Sequence, residues 1–258
     1  MSESGTERVA VVVGGASGIG WATATGLAGE GFRVVIADRN ADVAAARATA
    51  LGAPHRAATV DVTDEDSVAA LFERTAPLDI VVNTAGFSNV GRIVEMPVDD
   101  FRSVVDACLT GGFIVAKHAG RQLRNGGSLV SVTSLNARQA APGMSAYCAA
   151  KAGLAMLTQV AALEFAPRGI RVNAVSPGFV DTPLTEPVKL LPGVLEEYLE
   201  NTPLGRAGTP ADVAAAILFL CSDKASWLTG EVLDLNGGAH LKRYPDILGH
   251  LDRMAATP

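Results

Sequence analysis

Val9–Val13 is an unbroken, strand-sized apolar run, and it passes directly into Gly14-Gly15-Ala16-Ser17-Gly18-Ile19-Gly20. Ile19–Gly29 then reads as a helix. A buried strand that turns through spaced glycines into a helix narrows the possible folds more than any other stretch of this chain. Gly14 permits the tight turn, Gly18 lets a phosphate approach the backbone, and Gly20 lets helix and sheet pack closely. The N–H groups around Ser17, Gly18 and Ile19 open the helix without partners inside it, so they can hold a pyrophosphate. Phe32–Ala37 reads as the second strand, and Asp38 ends it eighteen residues past Gly20. A carboxylate at that point accepts from ribose hydroxyls. The spacing is GxxxGxG rather than GxGxxG. The flanking strand and helix, together with Asp38, point to a bound dinucleotide.

The same alternation continues along the chain. Ala41–Ala50, Glu65–Arg74, Val98–Gln122, Ser145–Phe165 and Pro210–Cys221 read as helices. His55–Val60, Leu78–Asn83, Ser128–Thr133, Ile170–Val175 and Glu231–Leu235 read as strands. Gly111-Gly112 weakens the middle of the 98–122 helix. Apolar strands separated by helices predict a parallel sheet covered on both faces. The expected fold is therefore α/β: one doubly wound Rossmann domain over residues 1–258 with a seven-stranded parallel sheet. A proline-punctuated insert at about 181–208, with a short helix at Gly193–Glu200, reads as a substrate loop. An extension at about 239–258 follows the last strand. Its Leu241, Tyr244, Ile247, Leu248, Leu251 and Met254 are spaced as an amphipathic segment.

Hydrophobic residues make up 48% of the chain and charged residues 19%, which excludes a disordered or acidic-tail protein. The net charge is −6 and no basic run occurs, so neither nucleic acid nor an anionic membrane is an expected partner. Cys108, Cys148 and Cys221 form no CxxC pair, and an odd count fits a reducing, cytoplasmic setting. Four histidines without an HExxH cluster predict no metal site. Met1–Arg8 lacks the basic and apolar stretches of a signal peptide, and the longest apolar runs are strand-sized or broken by charges, so no membrane span is expected.

Tyr147 and Lys151 stand four residues apart on one helix and share a face. A cation close to a tyrosine hydroxyl favours the phenolate, so Tyr147 can exchange a proton with an alcohol. Ser134 ends the preceding strand, where this sheet faces its ligand crevice and a hydroxyl can hold a substrate oxygen.

With these residues go Asp61-Val62, Asn83-Thr84-Ala85-Gly86, Tyr147-Cys148-Ala149-Ala150-Lys151, Arg171-Val172-Asn173, Pro177-Gly178 and Leu235–Gly238. In this order and spacing, the chain resembles the classical short-chain dehydrogenase/reductase family over about residues 8–240. The resemblance implies NAD(H)-dependent hydride transfer between a secondary alcohol and a ketone. It makes Ser134, Tyr147 and Lys151 the catalytic residues, with Lys151 also on the nicotinamide ribose. It places Asp61 and Val62 at the adenine. Asn83 supports the central sheet, and Ala85 and Gly86 leave room for the cofactor. Pro177, Gly178, Val180 and Thr182 wall the nicotinamide carboxamide. Asn173 is expected to be structural. The family's catalytic asparagine falls at Cys108, where the main-chain carbonyl would hold a relay water whatever the side chain. Val13 replaces a usual threonine.

NAD is expected over NADP, because Asp38 would repel a 2′-phosphate and Ser17 stands where NADP-using relatives carry a basic residue. Arg39 is expected along the adenine or in water. The substrate pocket is expected from Phe87, Leu135, Arg138, Met144, Phe179 and side chains between Leu184 and Leu195. Their apolar character suits a lipophilic alcohol or ketone. The resemblance also implies a homotetramer, with the tail near a neighbouring subunit. Two alternatives stay open: a non-catalytic NAD-binding regulator or scaffold, and, among enzymes, a 3-oxoacyl reductase or polyol dehydrogenase.

Overall fold

The computed structural model describes residues 7–256. The expectations for residues 1–6 and for Thr257 and Pro258 lie outside these. Seven strands form one parallel sheet in the order β3-β2-β1-β4-β5-β6-β7. They are β1 Val9–Val13, β2 Arg33–Asp38, β3 Arg56–Thr59, β4 Leu78–Asn83, β5 Leu123–Val132, β6 Arg171–Pro177 and β7 Val232–Leu235. Strand order reverses between β1 and β4, where Val13 stands beside Ala37 on one side and Asn83 on the other. A crevice opens at the carboxyl ends of the strands at such a reversal.

Side chains alternate across the sheet and fill two cores. Val9, Val11 and Val13 point to one face, with Leu71, Phe72, Val115 and Ala161. Ala10 and Val12 point to the other, with Ala24, Leu27, Ile217 and Leu220. The helices supplying the first core are α3 Glu65–Thr75, α5 Gly111–Gln122 and α6 Ser145–Phe165; α1 Gly18–Gly29 and α9 Pro210–Cys221 supply the second. A further helix, α2 Ala41–Leu51, follows β2. Helix 145–168 is long and apolar enough to cross a membrane by length and composition, against the expectation of no such segment. Here it covers the sheet through Leu154, Ala161 and Ala162, and α6 carries Tyr147 and Lys151.

The single helix expected at Val98–Gln122 is instead α4 Val98–Val105, a π turn at Asp106–Thr110 and α5. Gly111 and Gly112 mark close approaches rather than a weak centre. A Cβ on Gly111 would lie 2.9 Å from Val62 Cγ2, and one on Gly112 would lie 2.7 Å from Leu154 Cδ1. The structural expectation for Asn173 holds: its amide donates to the Leu228 carbonyl at 2.9 Å and accepts from Glu231 N–H at 3.0 Å, tying β6 to the start of β7.

The insert carries two short helices, α7 Glu186–Lys189 and α8 Val194–Glu200. The tail ends in α10 Ile247–Ala255. Its Tyr244, Ile247 and Leu251 pack with Ala141, Met144 and Val194 of their own chain.

Candidate active site

The glycine turn is held by the neighbouring strand. The N–H groups of Gly14 and Gly15 donate to the Ala37 carbonyl at 2.8 and 3.1 Å. Gly14 has φ +75°, and a Cβ there would meet Thr84 Oγ1 at 2.7 Å. That hydroxyl donates back to the carbonyls of Val13 and Gly14. A Cβ on Gly20 would lie 2.1 Å from the Gly14 carbonyl oxygen. It would also lie 2.7 Å from Thr84 Oγ1, so the close approach of the helix start to the ends of β1 and β4 excludes a side chain at Gly20. Gly18 has φ +48° and faces Thr182, whose Cγ2 would lie 3.3 Å from an added Cβ. Ser17 caps α1 without spending its side chain on the helix. The bare turn and uncommitted helix start form a cradle that fits a pyrophosphate.

Asp38 is fixed by backbone donors: Ala16 N–H to Oδ2 at 3.1 Å and Asn40 N–H to Oδ1 at 3.0 Å. With Gly14, Ser17, Arg39, Asp61, Val62, Ala85 and Gly86 it lines a cleft of about 310 Å³. The sequence reading missed Thr63, Thr84 and Ala107 in this wall, and Phe87, expected at the substrate, lies here. Asp61 accepts from the Thr63 hydroxyl at 2.7 Å and from its N–H at 2.9 Å. Those bonds, aided by the Arg39 charge and opposed by burial, hold its carboxyl below the usual range. Asn83 is buried and accepts from Ala85 N–H at 3.1 Å, so it shapes the loop rather than facing the cleft.

The next cavity, about 110 Å³, gathers Ile19, Gly86, Ser134, Tyr147, Lys151, Pro177, Gly178, Val180 and Thr182. Residues from the glycine turn, the ends of β5 and β6, and α6 thus meet at one point. Ser134 caps a short 3₁₀ turn, and its hydroxyl accepts from Asn136 N–H at 3.2 Å. Lys151 is buried, donates from Nζ to the Val132 carbonyl at 2.8 Å, and lies 5.6 Å from the Tyr147 ring centre. Burial pushes the Lys151 ammonium down. It pushes the Tyr147 hydroxyl well up, although Ser134 acts in the opposite direction. In the free protein, loss of solvent is the dominant influence on the Tyr147 hydroxyl.

Cys108 lies in the π turn, buried, with its thiol 3.3 Å from the Phe87 carbonyl. A Cβ on Gly86 would meet Cys108 Sγ at 2.9 Å and Lys151 Nζ at 3.4 Å. The thiol thus packs beside the lysine as a small buried group.

A third cavity of about 110 Å³ shares Ser134, Tyr147, Pro177 and Gly178 with the second. Leu135, Met144, Phe179, Leu184 and Val188 line it as expected. Arg138 does not; it pairs with Asp234. Leu190 is exposed and Leu191 packs with the cluster of Ala141, Val194 and Ile247, so neither forms the wall; nor does Leu195. The sequence reading missed Asn136, Gln139, Tyr198 and Arg243 here. Tyr244 and Ile247, noted only for tail spacing, also line it. The Tyr198 and Tyr244 hydroxyls lie 2.7 Å apart, and Phe179 stacks on the Tyr198 ring at 4.5 Å.

A family profile described as enoyl-(acyl carrier protein) reductase matches residues 14–240. The chain is 47% identical over 250 residues to a cis-4-hydroxycyclohexanecarboxylate dehydrogenase of Sinomonas cyclohexanicum, covering 92% of this chain and 98% of that protein. It is 38% identical over 240 residues to a 3-oxoacyl-[acyl-carrier-protein] reductase of Thermotoga maritima, covering 90% and 97%. A solved short-chain type dehydrogenase/reductase from Mycobacterium ulcerans superposes with a TM-score of 0.91 at 35% identity, covering 95% of this chain and 94% of that one.

Proposed function

The chain belongs to the short-chain dehydrogenase/reductase family, and from that premise we propose that it oxidises a secondary alcohol on a carbocyclic ring to the ketone, with NAD as hydride acceptor. The carrying observation is that Ser134, Tyr147 and Lys151 share one cavity with the glycine turn at one end and the apolar pocket at the other. The glycine turn, Asp38 and the wall of Pro177, Gly178, Val180 and Thr182 would hold NAD, which would supply the acceptor for the hydride of the carbinol carbon. Ser134 holds the substrate oxygen by a hydrogen bond. The Tyr147 side chain receives the hydroxyl proton, and Lys151 supplies the positive charge that favours its ionised form. Leu135, Met144 and Phe179 keep water from the reacting carbon.

The ring alcohol is supported by the Sinomonas relative and by a pocket narrowed by the tail. The preference for NAD rests on Asp38, which two backbone donors hold at the end of β2. A 2′-phosphate there would bring like charges together. We extend the reading to a cytoplasmic homotetramer. The cysteines of the described residues are all unpaired, and Phe113, Met156 and Leu163 leave apolar surface exposed on α5 and α6.

The test is purified protein with NAD and a panel of ring alcohols, followed by nicotinamide absorbance. Turnover supports the proposal. Tight NAD binding without turnover on any member would favour the non-catalytic regulator.

A further inference from the structure

The substrate pocket beside Ser134 and Tyr147 is apolar or neutral except at one residue. Among the described residues lining it, Arg243 alone carries a charge. No carboxylate faces the cavity. Arg243 belongs to the tail, beyond the stretch matched by the family profile.

The guanidinium is oriented from the protein side. Nη1 pairs with Glu197 of α8, whose side chain is only 11% exposed while that of Arg243 is 62% exposed. The same carboxylate accepts from Asp246 N–H at 3.1 Å and lies 2.9 Å from His250 Nε2. Burial alone would raise the Glu197 carboxyl; Arg243, His250 and the Asp246 N–H more than offset this and hold it ionised. Glu197 thus anchors Arg243 while being shared among three donors. A guanidinium has five N–H donors in a planar fork, and the rest of this fork can meet a ligand.

Neutral groups continue the polar edge toward the reacting end. The Tyr244 hydroxyl, next in sequence, contacts the Tyr198 hydroxyl at 2.7 Å and Asn136 Oδ1 at 3.4 Å. Asn136 in turn donates its N–H to Ser134 Oγ at 3.2 Å. A cation at one end, a hydroxyl pair beside it and an apolar body leading to Ser134 match a small molecule with an anion at one end and a carbinol at the other.

We infer that Arg243 determines specificity by taking the carboxylate of a ring hydroxy acid whose carbinol lies at Ser134 and Tyr147. This deepens the proposed alcohol oxidation and rests on it. The planar fork suits the two oxygens of a carboxylate.

The experiment compares kcat and KM for 4-hydroxycyclohexanecarboxylate, its methyl ester and cyclohexanol, with NAD, in the wild type, Arg243→Gln and Arg243→Lys. The acid should exceed the ester in kcat/KM by about 30-fold, as expected for a charge-assisted pair. Arg243→Gln should bring that ratio to about one, mainly through KM, and Arg243→Lys should restore part of it. An acid no better than its ester, or an Arg243→Gln loss equal on acid and ester, would overturn the inference while leaving alcohol oxidation standing. If the wild type turns over none of the three, calorimetry of the acid with the NAD-loaded protein decides. Binding that Arg243→Gln abolishes supports the carboxylate site, and its absence in the wild type refutes it.

Discussion

Lys151 Nζ lies 5.6 Å from the centre of the Tyr147 ring, four residues away on one face of α6, and burial drives both groups toward their neutral forms. Proximity of a cation is therefore not enough to ionise this phenol in the free protein. In the proposed oxidation, Tyr147 would ionise in the ligand-bound site, where Ser134 and Lys151 can favour the phenolate.

The chain's three tyrosines, Tyr147, Tyr198 and Tyr244, are all pushed up by burial, Tyr244 to about 12. An unperturbed tyrosine is half ionised near pH 10. Titration of the folded, unliganded protein by tyrosinate absorbance should show almost no ionisation at that pH. Each folded value lies above the unfolded one. The stability held by the protonated phenols is therefore intact below about pH 10 and lost as pH rises through the folded values. Lys151, shifted down, acts in the opposite sense. A normal three-tyrosine titration of the native protein at pH 10 would contradict the burial argument.

Cys108 should be replaceable. Its thiol contacts the Phe87 carbonyl at 3.3 Å, and a serine hydroxyl can donate to the same oxygen. Cys108→Ser should keep kcat within about threefold, and Cys108→Asn should remain active. Cys108→Leu should cost about 1–3 kcal/mol of stability by overpacking against Gly86. Steady-state kinetics and thermal unfolding check these outcomes, and an inactive, well-folded Cys108→Ser would point to a thiol role.

Asp38→Ala should narrow the preference for NAD over NADP by roughly tenfold, because it removes one like charge beside the 2′ position. Arg39, with a 2′-phosphate then admitted, becomes free to meet it. The substitution also frees the N–H groups of Ala16 and Asn40, costing about 1 kcal/mol. The ratio of kcat/KM for the two cofactors is the measurement. A wild type that uses NADP as well as NAD would overturn the assignment.

Light scattering at micromolar concentration should give about four times the 26.5 kDa chain mass. Phe113, Met156 and Leu163 are at least half exposed, and burying them between copies would favour assembly. Charge placed at Leu163 and Met156 should shift the mass downward. A monomeric wild type would defeat the assembly.

What could be read from the sequence was local. The β1 turn, Asp38, and the Tyr147–Lys151 spacing each follow from a short stretch with one conformation available to it. The specific neighbours of Gly20, the Gly14 carbonyl and Thr84 Oγ1, were out of reach because both contacts are made only when the turn closes against β4. The distal pocket wall was out of reach for another reason. Tyr244 meets Asn136 across 108 residues of chain, and the insert brings Tyr198 against Tyr244. No periodicity encodes that meeting. Arg138 looked like a pocket cation, but Asp234 at the end of β7 claims it, leaving the charge to Arg243.

In the proposed oxidation, Tyr147 carries the proton while hydride passes between a ring alcohol and NAD. The most direct measurement is the turnover of Tyr147→Phe beside the wild type, with NAD affinity determined for both by calorimetry. Loss of a general acid/base should lower kcat by about 10²–10⁴-fold, while NAD affinity stays within a few-fold, because the phenyl ring still packs on the Cys108 side of the pocket. A Tyr147→Phe protein that turns over at near the wild-type rate would contradict the account.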